Sequence, residues 1–139
     1  IARSDVVVSV LEIPVEAAAR TMALGRKHGV RTLLNPAPAT HLDETVLQNV
    51  DYLTPNESEL RILLGLPADD PTLSLELADR LRAQGVRNLI VTLGEKGALV
   101  LSESDRFEVA GDYPAEGNRG HHGRRRRFQR GPGRRPGAR

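Results

Sequence analysis

Short apolar runs alternate with helical patterns along the first 116 residues of the chain. The run at residues 6–11 is continuous and mostly β-branched, which is typical of a strand buried on both faces of a sheet. Further strands are predicted at residues 31–34, 52–53, 88–92, 98–101 and 107–109. Helices are predicted between them at residues 14–28, 41–50, 57–64 and 75–84.

This order of elements predicts an α/β fold. Strands and helices joined by short connections indicate βαβ units, which build a mainly parallel sheet covered by helices on both faces. In such sheets, ligands bind beyond the carboxyl ends of the strands. The residues at those positions are Glu12, Asn35, Asn56 and the segment 92–97. We therefore expect the chemistry of the protein there.

Charge divides the chain at about residue 117. Residues 1–116 contain all 18 acidic residues and 11 of the Lys and Arg residues, whereas residues 117–139 contain nine arginines and no acid. The second segment lacks hydrophobic periodicity, and its Gly, Pro and Arg content cannot bury enough surface to offset chain entropy. We predict a domain at residues 1–116 and a disordered basic tail at residues 117–139.

The amino-acid composition narrows the classes of protein and site that are possible. The absence of cysteine excludes a disulfide framework, a thiolate nucleophile and a Cys-ligated metal. No apolar run approaches the ~20 residues that a membrane span needs, and we expect a cytoplasmic protein. The chain begins Ile-Ala-Arg-Ser-Asp and enters a strand directly, so we expect a piece cut from a longer protein.

Four strand-end motifs occur in a characteristic order. They are Leu-Glu-Ile-Pro at residues 11–14, Asn-Pro-Ala-Pro-Ala at 35–39, Thr-Pro-Asn-Glu-Ser-Glu at 54–59 and Val-Thr-Leu-Gly-Glu-Lys-Gly at 91–97. Each motif alone is weak, but together they closely resemble the C-terminal half of the ribokinase-like, phosphofructokinase-B-type carbohydrate kinase family. The resemblance covers residues 1–116 and implies part of a three-layer α/β/α sandwich.

The first two motifs each allow two interpretations. Glu12 closes an apolar strand, where it is either a solvated loop carboxylate or, as the resemblance implies, a bidentate acceptor for sugar hydroxyls. Asn35 precedes Pro36, and proline fixes its own φ and extends the residue before it. Asn35 is therefore either part of a stiff strand exit or part of the site.

The third motif begins a helix. From the local sequence, Asn56 is an N-cap and Glu59 is an early acid favoured by the helix dipole. The resemblance implies in addition that Asn56 contacts nucleotide phosphates. It also implies that Glu59 helps to hold Mg²⁺ through water, which suits a cation that keeps its hydration. The capping role and the functional role can coexist.

The fourth motif is a glycine turn between two strands, and alone it predicts a hairpin turn. The resemblance implies that this loop lines the ATP site, with close backbone approach at its glycines and a hydroxyl from its threonine. The residues concerned are Thr92, Leu93, Gly94, Glu95, Lys96 and Gly97. The sequence contains no Gly-x-x-x-x-Gly-Lys-Ser/Thr, which excludes a P-loop kinase.

The family's decisive motif, Asp-Thr-Thr-Gly-Ala-Gly-Asp, is absent from the sequence. In the family its glycines form an anion hole and its last aspartate is the base for the sugar hydroxyl. Its place is taken by Gly-His-His-Gly-Arg-Arg-Arg-Arg-Phe-Gln-Arg at residues 120–130. The catalytic base is therefore expected to be missing from this chain.

A change of reading frame explains the replacement. The codons of residues 119–132, read one base downstream, permit Val-Asp-Thr-Thr-Gly-Ala-Gly-Asp-Ala-Phe-Asn-Gly-Ala-Leu. At the Gly, Ala and Asp positions the shifted codons allow several amino acids, so the agreement there is weak support. The codons at Thr-Thr, Phe-Asn and Leu are more restrictive, and they permit the family's residues. We infer a one-base frameshift near residues 112–118.

Together these features predict a fragment of an ATP-dependent sugar kinase that is inactive as it stands. Ribose is the leading substrate, and fructose or another sugar or nucleoside is the alternative. The resemblance implies ATP, Mg²⁺ and, in intact members, a monovalent cation such as K⁺, no membrane, and a homodimeric intact relative. A different class is a non-catalytic domain whose arginine-rich tail binds nucleic acid.

Overall fold

The computed structural model describes residues 1–111 and, beyond them, the backbone of a strand at Arg125–Arg127. The strands are β1 (Val6–Val10), β2 (Arg31–Asn35), β3 (Tyr52–Leu53), β4 (Asn88–Thr92), β5 (Gly97–Leu101), β6 (Arg106–Ala110) and β7 (Arg125–Arg127). The helices are α1 (Val15–Lys27), α2 (Glu44–Leu47), α3 (Glu57–Leu63) and α4 (Ser74–Ala83), and a 3₁₀ turn lies at Gly94–Lys96.

The strands form one sheet in the order in which they occur in the chain. Strands β1 to β4 are parallel, whereas β4 to β7 are joined by antiparallel pairings. The parallel part requires crossover helices, and α1 to α4 supply them. The prediction of an α/β fold with parallel strands is confirmed.

The helices cover one face of the sheet. The three crossovers step in the same direction across the sheet, and right-handed crossovers that do so place their helices on the same side. Burial follows this arrangement, since Leu89 and Val91 of β4 are buried and the residues between and beside them are not. The described residues therefore supply two of the three predicted layers.

Strand β1 departs from its prediction for this reason. Its continuous apolar run predicts burial on both faces, but Val6 and Val8 are 47% and 62% exposed. Ser9, on the face toward α1, is buried instead. The prediction of burial on both faces is wrong for the described residues, because no helix of this part of the chain packs on the second face.

The core lies between the sheet and the helices. Leucines dominate it, and they come from strands and helices alike: Leu34, Leu53, Leu60, Leu63, Leu77, Leu81, Leu89, Leu99 and Leu101 are all almost fully buried. Burial of such side chains typically contributes about 1.5–3 kcal/mol each. The core thus holds the parallel strands in register and fixes where their carboxyl ends lie.

Two further elements differ from prediction. Helix α2 is much shorter than the predicted 41–50, because the chain is extended at Asp43 and turns again after Leu47. Strand β7 was not predicted, and it forms because the free edge of β6 can pair with extended backbone without apolar side chains. The division at residue 117 and the disorder of the tail stay predictions. The rest of the predicted tail lies outside the described residues. Within residues 1–111, every helix is too short or too polar to cross a bilayer.

Candidate functional site

The carboxyl ends of β3 and β4 meet at one edge of the sheet. Asn56, three residues after β3, pairs with Thr92, the last residue of β4, through an isolated parallel bridge. The Thr92 amide donates a 3.0 Å hydrogen bond to the Pro55 carbonyl. The structure therefore brings together two of the motifs that lie 36 positions apart in the sequence.

A capping box fixes Asn56. Its Oδ1 accepts a 2.8 Å hydrogen bond from the Glu59 amide, and Glu59 Oε2 accepts a 2.8 Å hydrogen bond from the Asn56 amide. This satisfies two backbone donors that would otherwise be free at the start of α3. These bonds confirm the predicted capping role of Asn56. Asn56 is exposed, and its side-chain nitrogen, Nδ2, takes no part in the cap.

The predicted glycine turn follows Thr92 as a 3₁₀ turn that leads into β5. The Leu93 amide donates a 2.8 Å hydrogen bond to the Gly97 carbonyl, which closes the turn. The Leu93 side chain packs against the core. Glu95 and Lys96 are exposed at the tip of the turn.

The two glycines of the turn serve different purposes. Gly94 has a φ of +60°, and a Cβ there would meet no atom within 4 Å, so its surroundings are open. Gly97 has a φ of +103°, and a Cβ there would lie 1.9 Å from the Val109 carbonyl oxygen. Gly97 is thus required by the close approach of β6, which the sequence interpretation did not include.

A cavity of about 480 Å³ lies at this edge. Its lining residues are Asn56, Glu57, Ser58, Thr92, Gly94 and Gly97. The volume falls within the ~300–1,000 Å³ that is usual for small-molecule sites. Leu93, Glu95, Lys96 and Glu59 are neighbours of this cavity in the chain but do not line it.

Glu57 and Ser58 are lining residues that sequence reasoning missed. They follow Asn56 directly, so their place in the first turn of α3 is the signal that could have identified them. Glu57 is partly engaged, since its Oε1 accepts a 2.5 Å hydrogen bond from Ser74 Oγ of α4. The carboxylate nearest the cavity is therefore held by the neighbouring helix.

Glu12 and Asn35 lie at the same edge but outside this cavity. Asn35 ends β2 and pairs in register with Val10, while Glu12 follows β1 and is exposed. The loop after β2 is tied to β1 by a 3.1 Å hydrogen bond from the Leu11 amide to the Ala37 carbonyl. Three strand spacings, about 14 Å, separate β1 from β4. Glu12 thus lies at the carboxyl edge of the sheet, where a second ligand would lie beside the cavity.

The donor set bears on whether a metal ion fits. Within residues 1–111 no three His, Asp or Glu side chains gather into a group that could hold a metal ion by themselves. Glu59 keeps one carboxylate oxygen, Oε1, outside the capping box. Such a set suits Mg²⁺, which binds through few protein carboxylates, waters and substrate phosphates. Of residues 120–130, which replace the family's anion hole, the structure describes only the backbone of Arg125–Arg127.

Comparison with known proteins gives a consistent result. Residues 3–115 match the pfkB family carbohydrate kinases. The chain is 39% identical over 116 residues to a bifunctional ribokinase/ribose-5-phosphate isomerase A of Fructilactobacillus sanfranciscensis, covering 84% of this chain and 21% of that protein. It is also 39% identical over 108 residues to a deoxyribokinase of Salmonella typhi, covering 77% and 35%.

Solved structures show the same fold. The crystal structure of a ribokinase from Thermotoga maritima superposes with a TM-score of 0.66 at 30% identity, covering 77% of this chain and 35% of that one. The chain therefore spans between about a fifth and a third of the length of these three relatives. Which part it spans stays a prediction from the order of the motifs.

Proposed function

Because the chain belongs to the pfkB family of carbohydrate kinases, we propose that it is the nucleotide-binding part of an ATP-dependent sugar kinase. The observation that carries this proposal is the bridge between Asn56 and Thr92 beside the open Gly94. A polar amide, a hydroxyl and an unobstructed glycine then face one cavity at the carboxyl edge of parallel strands. Ligands of α/β proteins bind at this edge.

Each residue around the cavity contributes to ATP binding in a different way. Asn56 is positioned by its capping box to offer its side-chain amide to phosphate oxygens, and Thr92 offers its hydroxyl. Gly94 lets the nucleotide approach the backbone closely. Leu93 anchors the turn in the core, while Glu95 and Lys96 border the site at its exposed tip. Gly97 shapes the turn through its contact with β6.

Magnesium fits the same edge. Glu59 would hold it through water with its free carboxylate oxygen, since the other oxygen is used in the cap. Held there with ATP, Mg²⁺ would supply positive charge that offsets the negative charge of the phosphates. The expected monovalent cation, K⁺, is a prediction from the family alone, and we assign no described residue to it.

The sugar would bind beside the nucleotide. Glu12 follows β1 at the same edge and is exposed, so its carboxylate is free to accept hydrogen bonds from two hydroxyls. The relatives named above are a ribokinase fusion and a deoxyribokinase, which favours a pentose. We propose D-ribose, converted to D-ribose 5-phosphate, with fructose or a nucleoside as the alternative. A cytoplasmic location and a homodimeric intact relative stay predictions from the resemblance.

The chain as given should not catalyse this reaction. Its sequence lacks the Gly-Ala-Gly-Asp string that would supply the anion hole and the base. We propose that a one-base frameshift near residues 112–118 removed it. The remaining residues bind nucleotide weakly and position it, but the sequence lacks the motif aspartate that takes the proton of the sugar hydroxyl in the family.

A titration of the ¹⁵N-labelled chain with Mg-ATP tests the nucleotide site. We expect shifts at the amides of Asn56, Thr92 and Gly94. Asn56→Asp is the sharpest variant, because aspartate caps a helix as well as asparagine does but repels phosphate. It should keep the thermal stability of the chain and abolish the shifts.

The matched control is Asn49→Ala. The Asn49 side chain donates a 3.0 Å hydrogen bond to the Thr45 carbonyl at the end of α2, away from the cavity. This variant should bind Mg-ATP as the unchanged chain does. Shifts that survive Asn56→Asp, or that map away from the β3 and β4 strand ends, would disprove the proposed site.

A further inference from the structure

A second cavity lies at the opposite, amino-terminal edge of the sheet. Its volume is about 660 Å³, larger than that of the cavity at the carboxyl edge. It is lined by Arg26, Gly29, Val30, Arg31, Asp51, Tyr52, Arg87, Asn88, Glu103 and Ser104. The five residues of β4 separate the two edges by about 13 Å, so this cavity is distinct from the proposed nucleotide site.

Asp51 forms the floor of this cavity and is already satisfied. Its side chain is 15% exposed, and Oδ2 accepts a 3.0 Å hydrogen bond from the Thr32 amide. Its Oδ1 accepts a 2.9 Å hydrogen bond from Arg26 Nη1. One arginine therefore neutralises this carboxylate, and the interaction ties α1 to the start of β3.

Two more arginines in the cavity have no comparable partner within residues 1–111. Arg87 Nη1 lies 3.8 Å from Asp51 Oδ1, which is an ion-pair distance but too long for a hydrogen bond. The Arg31 side chain makes no hydrogen bond or ion pair within residues 1–111. Guanidinium groups keep their charge at all ordinary pH values and present several donors. Their donors are available to a ligand.

The sheet register places these two side chains on either side of β3. Arg31 begins β2, Arg87 immediately precedes β4, and β3 lies between those strands. Two strand spacings amount to about 10 Å, a gap that two arginine side chains can close around a small anion. Among the described lining residues, Glu103 is the one carboxylate besides Asp51, and it is exposed.

We propose that this cavity binds a phosphate-type anion between Arg31 and Arg87. Planar guanidinium groups match the oxygens of a phosphate in a bidentate manner, and such charge-assisted bonds are the strong ones. The Arg26–Asp51 pair supplies a rigid floor, and Tyr52 and Asn88 add neutral polar groups. Free phosphate and the phosphate group of an ester share this chemistry.

A site-resolved titration tests the proposal on the full chain. Inorganic phosphate is added to ¹⁵N-labelled protein at constant ionic strength, with glycerol 3-phosphate in a parallel series as the ester. We expect saturable shifts at the amides of Tyr52, Asn88 and Ser104, with a dissociation constant of about 10 mM or below. The series with the lower constant identifies the form that binds.

Three variants localise the anion. Arg31→Gln and Arg87→Gln should each weaken binding by about tenfold, because each removes a charge-assisted hydrogen bond to the anion. Glu103→Gln should strengthen binding roughly two- to fivefold, since it removes a repelling exposed charge. Arg20→Gln, which removes an equal charge from the exposed surface of α1, should change nothing.

The outcomes that overturn the proposal are equally specific. Shifts that rise linearly without saturation would show screening rather than binding. Binding that persists in both Arg31→Gln and Arg87→Gln would assign the phosphate to another basic segment. An equal loss in Arg20→Gln would reduce the effect to net charge. Each of these results would leave the nucleotide site at the other edge unaffected.

Discussion

Asn56 and Glu59 hold each other through two reciprocal hydrogen bonds of 2.8 Å, each between a side chain and the partner's backbone amide. The same pair caps the start of α3, and Asn56 also lines the candidate nucleotide cavity. Capping and the proposed ligand binding therefore involve the same residues, and the capping role can be tested by choice of substitution.

Glu59→Gln and Glu59→Ala make that separation. The glutamine retains an oxygen that can accept from the Asn56 amide, so the free energy of unfolding should change by less than about 0.5 kcal/mol. The alanine removes half of the capping box and should destabilise the chain by about 0.5–2 kcal/mol. Urea unfolding measures both changes. Equal losses of stability in the two variants would contradict the capping geometry.

Neighbouring leucines on β2 test the arrangement of layers. Leu34 is fully buried against the helices, whereas Leu33 points to the other face and is half-buried. Leu34→Ala should destabilise the chain by about 2–5 kcal/mol, as core truncations do. Leu33→Ala should have a clearly smaller effect. Thermal unfolding of the two variants decides, and similar losses would mean that the second face is also covered.

The glycine turn makes a third prediction. Gly97→Ala would place a Cβ 1.9 Å from the Val109 carbonyl oxygen, so it should destabilise the chain by more than about 2 kcal/mol. At Gly94 an added Cβ meets no atom within 4 Å, and asparagine tolerates a positive φ, so Gly94→Asn should destabilise the chain by less than about 1 kcal/mol. Equilibrium unfolding in urea compares them. A mild Gly97→Ala variant would show that β6 does not approach this turn so closely.

The order of the strands along the chain could be predicted from the sequence, as could the edge of the sheet on which the motifs lie. Periodicity locates β4, and parallel connectivity places Asn56 and Thr92 at carboxyl ends of strands. It could not supply the register, and the register is what brings Asn56 beside Thr92 and sets Arg31 and Arg87 on either side of β3. The exposure of Val8 could not be predicted either, because a β-branched run has the same sequence pattern whether one face of the sheet or both are covered.

The frameshift proposal makes a prediction at the level of DNA. The codons from residue 105 onward, read one base downstream after the shift, should spell Asp-Thr-Thr-Gly-Ala-Gly-Asp-Ala-Phe. That string would restore a glycine turn feeding a helix, where backbone amides hold phosphate charge. Sequencing this stretch of DNA shows whether the frameshift occurred. Codons that spell any other string would remove the explanation for residues 120–130.

The central claim is that this chain is part of a sugar kinase deprived of its base. Its most direct test is ribose-dependent ADP release, measured in a coupled assay on the chain as given and on the frame-corrected gene joined to its upstream half. The corrected protein should turn over in an Mg²⁺-dependent way at ordinary kinase rates, about 1–100 s⁻¹. Changing the restored motif's final aspartate to asparagine should lower that rate by about 10²–10⁴-fold. The chain as given should release no ADP in response to ribose. Turnover at those rates by the chain as given, or none by the corrected protein with any sugar, would contradict the account.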